Sequence, residues 1–209
     1  MITLTLLACI LIFSLYCFSD RNKMYKYLFH PYSIYYNKEH YRFLTHAFIH
    51  GDYIHLAFNC IALFTFGLAL EEKFFPEQFG EKMGKLYYIL LFTGGIYAAS
   101  FTEYFRNRKN PNYSSLGASG AISSIMFCYI MMSPLSKIYM FFIPMQGWIM
   151  GILLLGVSYY LIRKKKTSDY TDNISHESHF WGALFGVAFV LVLKPSIWKD
   201  FIDQIAGIF

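Results

Sequence analysis

Charged residues nearly vanish from six stretches of the chain, at about 2–18, 53–70, 86–102, 115–136, 138–162 and 178–193. Each stretch is close to the roughly 20 residues that cross a hydrocarbon core, and most are apolar all round instead of along one stripe. The pattern predicts an all-α integral membrane protein of six transmembrane helices, forming one domain over residues 1–209. The first stretch has no basic leader and ends at Cys17-Phe18-Ser19-Asp20 without a small-x-small cleavage site, so it is expected to remain as the first span.

The connections differ in character. Ser19 to Asp52 is long and carries Tyr25, Tyr27, Tyr32, Tyr35, Tyr36 and Tyr41, rings that suit the headgroup level, so a membrane-associated first loop is expected. Glu71 to Lys85 mixes both signs of charge with Pro76 and Gly80 and reads as an ordinary polar loop. Span three is assigned to packing, and Arg106 to Asn112 forms the next loop. Ser133 to Lys137 reads as a short turn that makes spans four and five antiparallel neighbours. Arg163-Lys164-Lys165-Lys166 reads as the stop of span five in the headgroup region. The tail intersperses Ile197, Trp198, Phe201, Ile202 and Ile205 with polar residues, the pattern of a C-terminal interfacial helix.

Composition sharpens this picture only in part. With 56% hydrophobic and 15% charged residues, the chain falls outside the usual soluble range. A net charge of +5 would suggest nucleic acid on a soluble basic face; here the basic residues lie between spans, so membrane lipids are the expected partners and nucleic acid is not. Cys9, Cys17, Cys60 and Cys128 all fall inside predicted spans at no metal-like spacing and read as packing residues; no metal and no cofactor is expected.

Three polar groups stand out against the apolar background. Gly117-Ala118-Ser119-Gly120 opens span four, His55 and Asn59 lie one turn apart on one face of span two, and His179 precedes the small-xxx-small pair Gly182 and Gly186 on span six. In a serpentine bundle, spans two, four and six begin at the same membrane face, so these groups can converge at similar depth. Ser119 is then a candidate nucleophile and His179 its general base. Backbone N–H groups at the start of span four, with Asn59 and His55, are candidate oxyanion donors. No carboxylate lies in the apolar parts of these spans, which favours a Ser-His dyad; Asp52 and Glu177 remain weak candidates for a third role. Metal chemistry is disfavoured, because His176-Glu177-Ser178-His179 is one residue short of HExxH. The GxSxG elbow is absent because Ala121 replaces its last glycine. A channel or carrier lined by His and Ser stays open as an alternative.

Taken in order, Tyr41-Arg42, His55-x-x-x-Asn59, Gly117-x-Ser119-Gly120 and His179-x-x-Gly182-x-x-x-Gly186 resemble the motifs of the rhomboid intramembrane serine proteases over nearly the whole chain. The resemblance implies a six-helix core with a water-filled cavity opening to the extracytoplasmic side. It implies hydrolysis of single-span transmembrane substrates, with Ser119 as nucleophile, His179 as base, and His55, Asn59 and the Ser119 amide as oxyanion donors. Gly117, Gly120, Gly182 and Gly186 would be supporting packing positions, and a bacterial inner membrane is the expected location. A catalytically inactive relative that binds membrane clients is a further alternative. Ser123 stands where many members carry an aromatic beneath the histidine, so another group must hold the His179 ring. Tyr41 replaces the family's tryptophan. With the implied cytoplasmic N-terminus, outer loops hold 12 Lys and Arg and inner segments 6, opposite to the positive-inside tendency.

Overall fold

The computed structural model describes residues 1–140, 143–167 and 175–208. Helix α1, Ile2–Phe18, coincides with the first apolar stretch. Its leading backbone N–H groups have no partner within the helix. Glu71, 1% exposed, takes up two of them: its carboxylate accepts from Ile2 N–H and, at 2.7 Å, from Thr3 N–H. These bonds and the positive end of the helix dipole offset the cost of burying the carboxylate.

The long first loop is mostly helical: α2 (Arg21–Tyr27), α3 (Pro31–Asn37), α4 (Arg42–Thr45) and one 3₁₀ turn (His46–Phe48). Buried Arg42 ties these pieces together. Its Nη1 donates to the carbonyls of Tyr25 and Leu28 at 2.7 and 2.9 Å, and its Nε to Glu39.

Asp52 caps the next helix by accepting from His55 N–H at 2.7 Å, and α5 (Tyr53–Ala62) follows. The helix does not stop near residue 70. It continues through π-helical turns at Leu63–Gly67 and Leu70–Phe74 into α6 (Phe75–Phe79). Gly80, at φ +77°, makes the break, and α7 runs Glu81–Asn107. The polar loop expected over 71–85 is therefore helix on both sides of one glycine. Its charges misled because Glu71 points inward to α1.

Helix α8 (Ser119–Met132) has 14 residues, fewer than the expected 115–136. At about 1.5 Å per residue it is about 21 Å long, short of the roughly 30 Å hydrocarbon core. After it the chain forms an antiparallel hairpin, β1 (Lys137–Met140) with β2 (Ile143–Gln146). Helix α9 (Gly147–Thr167) therefore begins nine residues later than the apolar pattern placed it, and it runs on through Arg163. The side chains of Lys165 and Lys166 lie outside the described residues. Helices α10 (His176–Leu193) and α11 (Ser196–Ala206) complete the chain. By length and composition, Tyr53–Phe79 and His176–Leu193 are long and apolar enough to cross a bilayer, while Ile2–Phe18 and Ser119–Met132 are shorter apolar helices.

Helix α8 packs between α7 and α10, and glycines set how closely. A Cβ added at Gly95 of α7 would fall 2.5 Å from Ser124 Oγ, and one at Gly94 would fall 2.5 Å from the Phe185 ring.

Candidate active site

Ser119 is the first residue of α8 and is half-buried. The segment leading to it is held from the first-loop side. Ser115 pairs with Phe29 in an isolated antiparallel bridge, and Gly117 N–H donates to the His46 carbonyl at 2.8 Å. Gly117 lies at φ +113°, a region that side-chain-bearing residues avoid. The absence of a side chain there also makes room for the His55 ring, since a Cβ would fall 2.8 Å from its Cε1 and 3.0 Å from its Nε2. Ala118 caps α8 without a side-chain bond, so the leading N–H groups of this helix stay open to an external acceptor.

Helix α10 lies directly on α8. A Cβ at Gly182 would sit 2.1 Å from the Gly120 carbonyl oxygen, and one at Gly186 would sit 2.1 Å from that of Ser124. Backbone meets backbone along two turns, which places the start of the His179 helix against the start of the Ser119 helix. His179 is half-buried, with the His176 ring edge-on at 6.3 Å and His55 within electrostatic reach. Ser123 is also half-buried, and among the described residues His176 is the ring packed on His179. No hydrogen bond joins Ser119 Oγ to His179 among the described residues.

Asn59 is buried, and its Nδ2 donates to the His55 carbonyl at 2.8 Å. The amide carries a second N–H that this bond does not use. His50, one loop earlier, is fully buried with its ring 4.9 Å from that of His55. Its Nε2 lies 3.5 Å from Ala118 N–H and its Nδ1 2.9 Å from Ser14 Oγ, which donates to the Phe48 carbonyl at 3.2 Å. One tautomer satisfies the whole chain of bonds: Nε2 accepting from Ala118 and Nδ1–H donating to Ser14, a neutral imidazole. Burial pushes the His50 ring down to about 3, and it pushes His46, whose ring lies tilted 50° against that of Phe29, down to about 4. Asp52 caps α5 and Glu177 pairs with Arg106 at 2.5 Å; neither bonds the His179 ring among the described residues.

Sequence reasoning missed Glu103. This carboxylate, 1% exposed near the end of α7, accepts from Ser115 Oγ at 2.9 Å, from Ser178 Oγ at 2.7 Å and from Ser175 Oγ. The available signal was a lone carboxylate ending an apolar stretch at the membrane face where Ser119 and His179 begin.

The fold and this cluster define an α-helical protein, several of its helices strongly apolar, with a serine and two histidines at the starts of apposed helices. The comparisons with known proteins carry that further. A family model described as Rhomboid domain matches residues 37–196, and the chain belongs to the rhomboid family. RHOMBOID-like protein 12, mitochondrial, of Arabidopsis thaliana is 30% identical over 150 residues, covering 67% of this chain and 42% of that protein. Rhomboid protein 1, mitochondrial, of Saccharomyces cerevisiae is 25% identical over 155 residues, covering 74% and 42%. The human Presenilin-associated rhomboid-like protein, mitochondrial, is 28% identical over 162 residues, covering 75% and 39%. The chain thus spans about two-fifths of the length of the curated relatives it matches. As a rhomboid family member it is an integral membrane protein.

Proposed function

We propose that the chain, acting as one six-span domain over residues 1–209, is an intramembrane serine endopeptidase that cleaves single-span transmembrane substrates by a Ser119–His179 dyad. The observation that carries this reading is the seating of Gly182 on the Gly120 carbonyl, which sets the helix of the base directly against the helix of the nucleophile. His179 takes the Ser119 proton as Oγ attacks the scissile carbonyl, then returns it to the leaving amine. Water, activated by the same imidazole, hydrolyses the acyl-enzyme. The oxyanion is met by the Ser119 N–H, the Asn59 amide and the His55 ring, each donor contributing about 2.7–4 kcal/mol at the transition state.

The short α8 supports a wet site. Non-helical backbone before Ser119 is tolerated at membrane depth only where protein buries it or water lines it. Helices α5, α8 and α10 begin at one face, and the site opens there, toward the extracytoplasmic side, with the tyrosine-rich loop at the headgroups and α11 lying in the opposite interface. The bacterial inner membrane expected from the resemblance stands against the mitochondrial names of the relatives.

One observation favours a second reading, a non-catalytic binder of membrane clients: the missing Ser119–His179 hydrogen bond. Catalytic hydrogen bonds are often long before substrate arrives, so the dyad remains the better account. Purified protein in liposomes decides between them. Wild type is expected to cleave a model single-span substrate and to be labelled at Ser119 by a fluorophosphonate, with both lost in Ser119→Ala and cleavage lost in His179→Ala. Cleavage that persists in Ser119→Ala removes the dyad, and a wild type that neither cleaves nor labels favours the binder.

A further inference from the structure

We infer that Glu103 is a positioning residue for this site, one that sets the reach of His179 to Ser119 from a third helix; the inference rests on the dyad proposed above. Glu103 touches neither reacting group. It holds the two segments that carry them. Ser115 lies four residues before the nucleophile, and Ser178 is the residue next to the base. Both hydroxyls donate to the one carboxylate, Ser115 to Oε2 and Ser178 to Oε1. Ser175, the N-cap of α10, donates to Oε1 as well while accepting from Ser178 N–H at 3.2 Å. Tyr113 lies beside the same carboxylate, within its electrostatic reach.

The chemistry of this arrangement explains why the link is firm. An ionised carboxylate offers about four acceptor sites and no donor, and here hydroxyls from two distant stretches of chain, Ser115 before α8 and Ser175 and Ser178 at the start of α10, donate to it. Such charge-assisted bonds are roughly twice as strong as neutral ones. A hydroxyl shell also satisfies the buried charge without a cation that would compete for the serines. The nearest cation on the same helix, Arg106, pairs instead with Glu177.

The mechanical consequence follows from where each segment is otherwise held. On the nucleophile side, Ser115 and Gly117 are fixed to Phe29 and His46 by backbone bonds. On the base side, the tightest glycine contacts between α10 and α8 act at residues 182 and 186, beyond His179, where an added Cβ would fall 2.1 Å from backbone oxygen; ahead of His179 the helices meet less closely, a Cβ at Gly120 falling 3.3 Å from the Ser178 carbonyl oxygen. The first turn of α10, with His176 and His179, lies N-terminal to those tightest contacts, where helices fray. Glu103 ties that turn to the fixed segment ahead of Ser119, so the separation of base and nucleophile is set from both ends.

The test uses the full chain in liposomes, with kcat and KM on a model single-span substrate, fluorophosphonate labelling of Ser119, and thermal unfolding in detergent. Glu103→Ala is expected to lower kcat per labelled site by about 10²-fold, the cost of a misplacement near 1 Å, with KM within about twofold of wild type. Glu103→Gln keeps the shape and one acceptor and is expected to restore most of that loss. Should Glu103→Ala fail to fold, Ser178→Ala decides, because it cuts only the tether beside the base; it is expected to lower kcat several-fold at unchanged KM. The inference is overturned if the folded variants keep wild-type kcat per labelled site, or if they raise KM alone. Wild-type cleavage that is abolished by Ser119→Ala but untouched by Glu103→Ala and Ser178→Ala removes this inference and leaves the dyad. Cleavage that survives Ser119→Ala removes the dyad, and this inference with it.

Discussion

Gly182→Ala is the sharpest perturbation of the helix pair that carries the site. The added Cβ would lie 2.1 Å from the Gly120 carbonyl oxygen and 2.9 Å from its carbon, whereas 3.4–4 Å is ordinary contact. The atoms it meets are backbone, so no rotamer change relieves the clash, and α10 must move off α8 by about 1 Å or more. Overpacking of this kind costs about 1–3 kcal/mol of stability. The same displacement carries His179 away from Ser119 and is expected to cost about 10²-fold in turnover, because proton transfer needs hydrogen-bond reach. Gly156→Ala is the control: on α9 the new Cβ meets nothing within 4 Å, and alanine favours a helix by up to about 1 kcal/mol. The assay is the rate of fluorophosphonate labelling of Ser119 and of substrate cleavage, normalised to folded protein, beside the thermal midpoint in detergent. A stable Gly182→Ala protein labelled at the wild-type rate would refute the claim that this contact sets the dyad.

Two further outcomes are expected. Asn59→Ala should lower kcat by about 10²–10³-fold with KM little changed, because an oxyanion donor acts in the transition state and not on bound substrate; a raised KM at constant kcat would instead make Asn59 a substrate-binding residue. Acid should destabilise the fold through His50, whose ring stays neutral in the folded state down to about 3. The unfolded chain takes up a proton near the ordinary value of about 6.5, so between roughly pH 6.5 and 3 it binds more protons than the folded one, and stability falls as pH falls through that window. The loss is on the order of a few kcal/mol. Stability against denaturant measured at pH 7.5, 5.5 and 4.5 should show this slope, and His50→Asn should reduce it, leaving the share of His46, whose ring is also pushed down. An equal slope in both proteins would assign the acid sensitivity elsewhere.

What the sequence made legible was what repeats within a turn or two of chain. His55 and Asn59 announce a shared face by their spacing of four, and the loss of charge along 2–18 marks α1 because a helix in lipid shows no polar side at all. The misreadings have one physical origin. Glu71 and Glu103 both looked like the polar ends of apolar stretches, since a carboxylate in a sequence shows its charge and not its partners. Those partners are far along the chain: Glu71 bonds residues 68 and 69 positions away, and Glu103 bonds Ser115, Ser175 and Ser178 at separations of 12, 72 and 75. No local period encodes such a pairing. The strand pair at 137–140 and 143–146 was hidden for the complementary reason, because alternating and all-round apolar patterns cannot be told apart in so short a run.

The two buried carboxylates also differ in what they can be asked to do. Glu71 accepts backbone N–H groups at the start of α1, so its work is finished once that helix is docked against the π-helical turn that carries it. Among the described residues the Glu103 carboxylate accepts side-chain hydroxyls, whose bonds do not depend on the winding of any helix. The dyad proposed above would have to admit a substrate strand between Ser119 and His179, which calls for connections of the second kind at its mouth and of the first kind at its base. Backbone-to-backbone glycine contacts and hydroxyl-to-carboxylate tethers are arranged in that order: α10 is fixed on α8 at Gly182 and Gly186, while Ser175 and Ser178 hold the turn that bears His179 to Glu103.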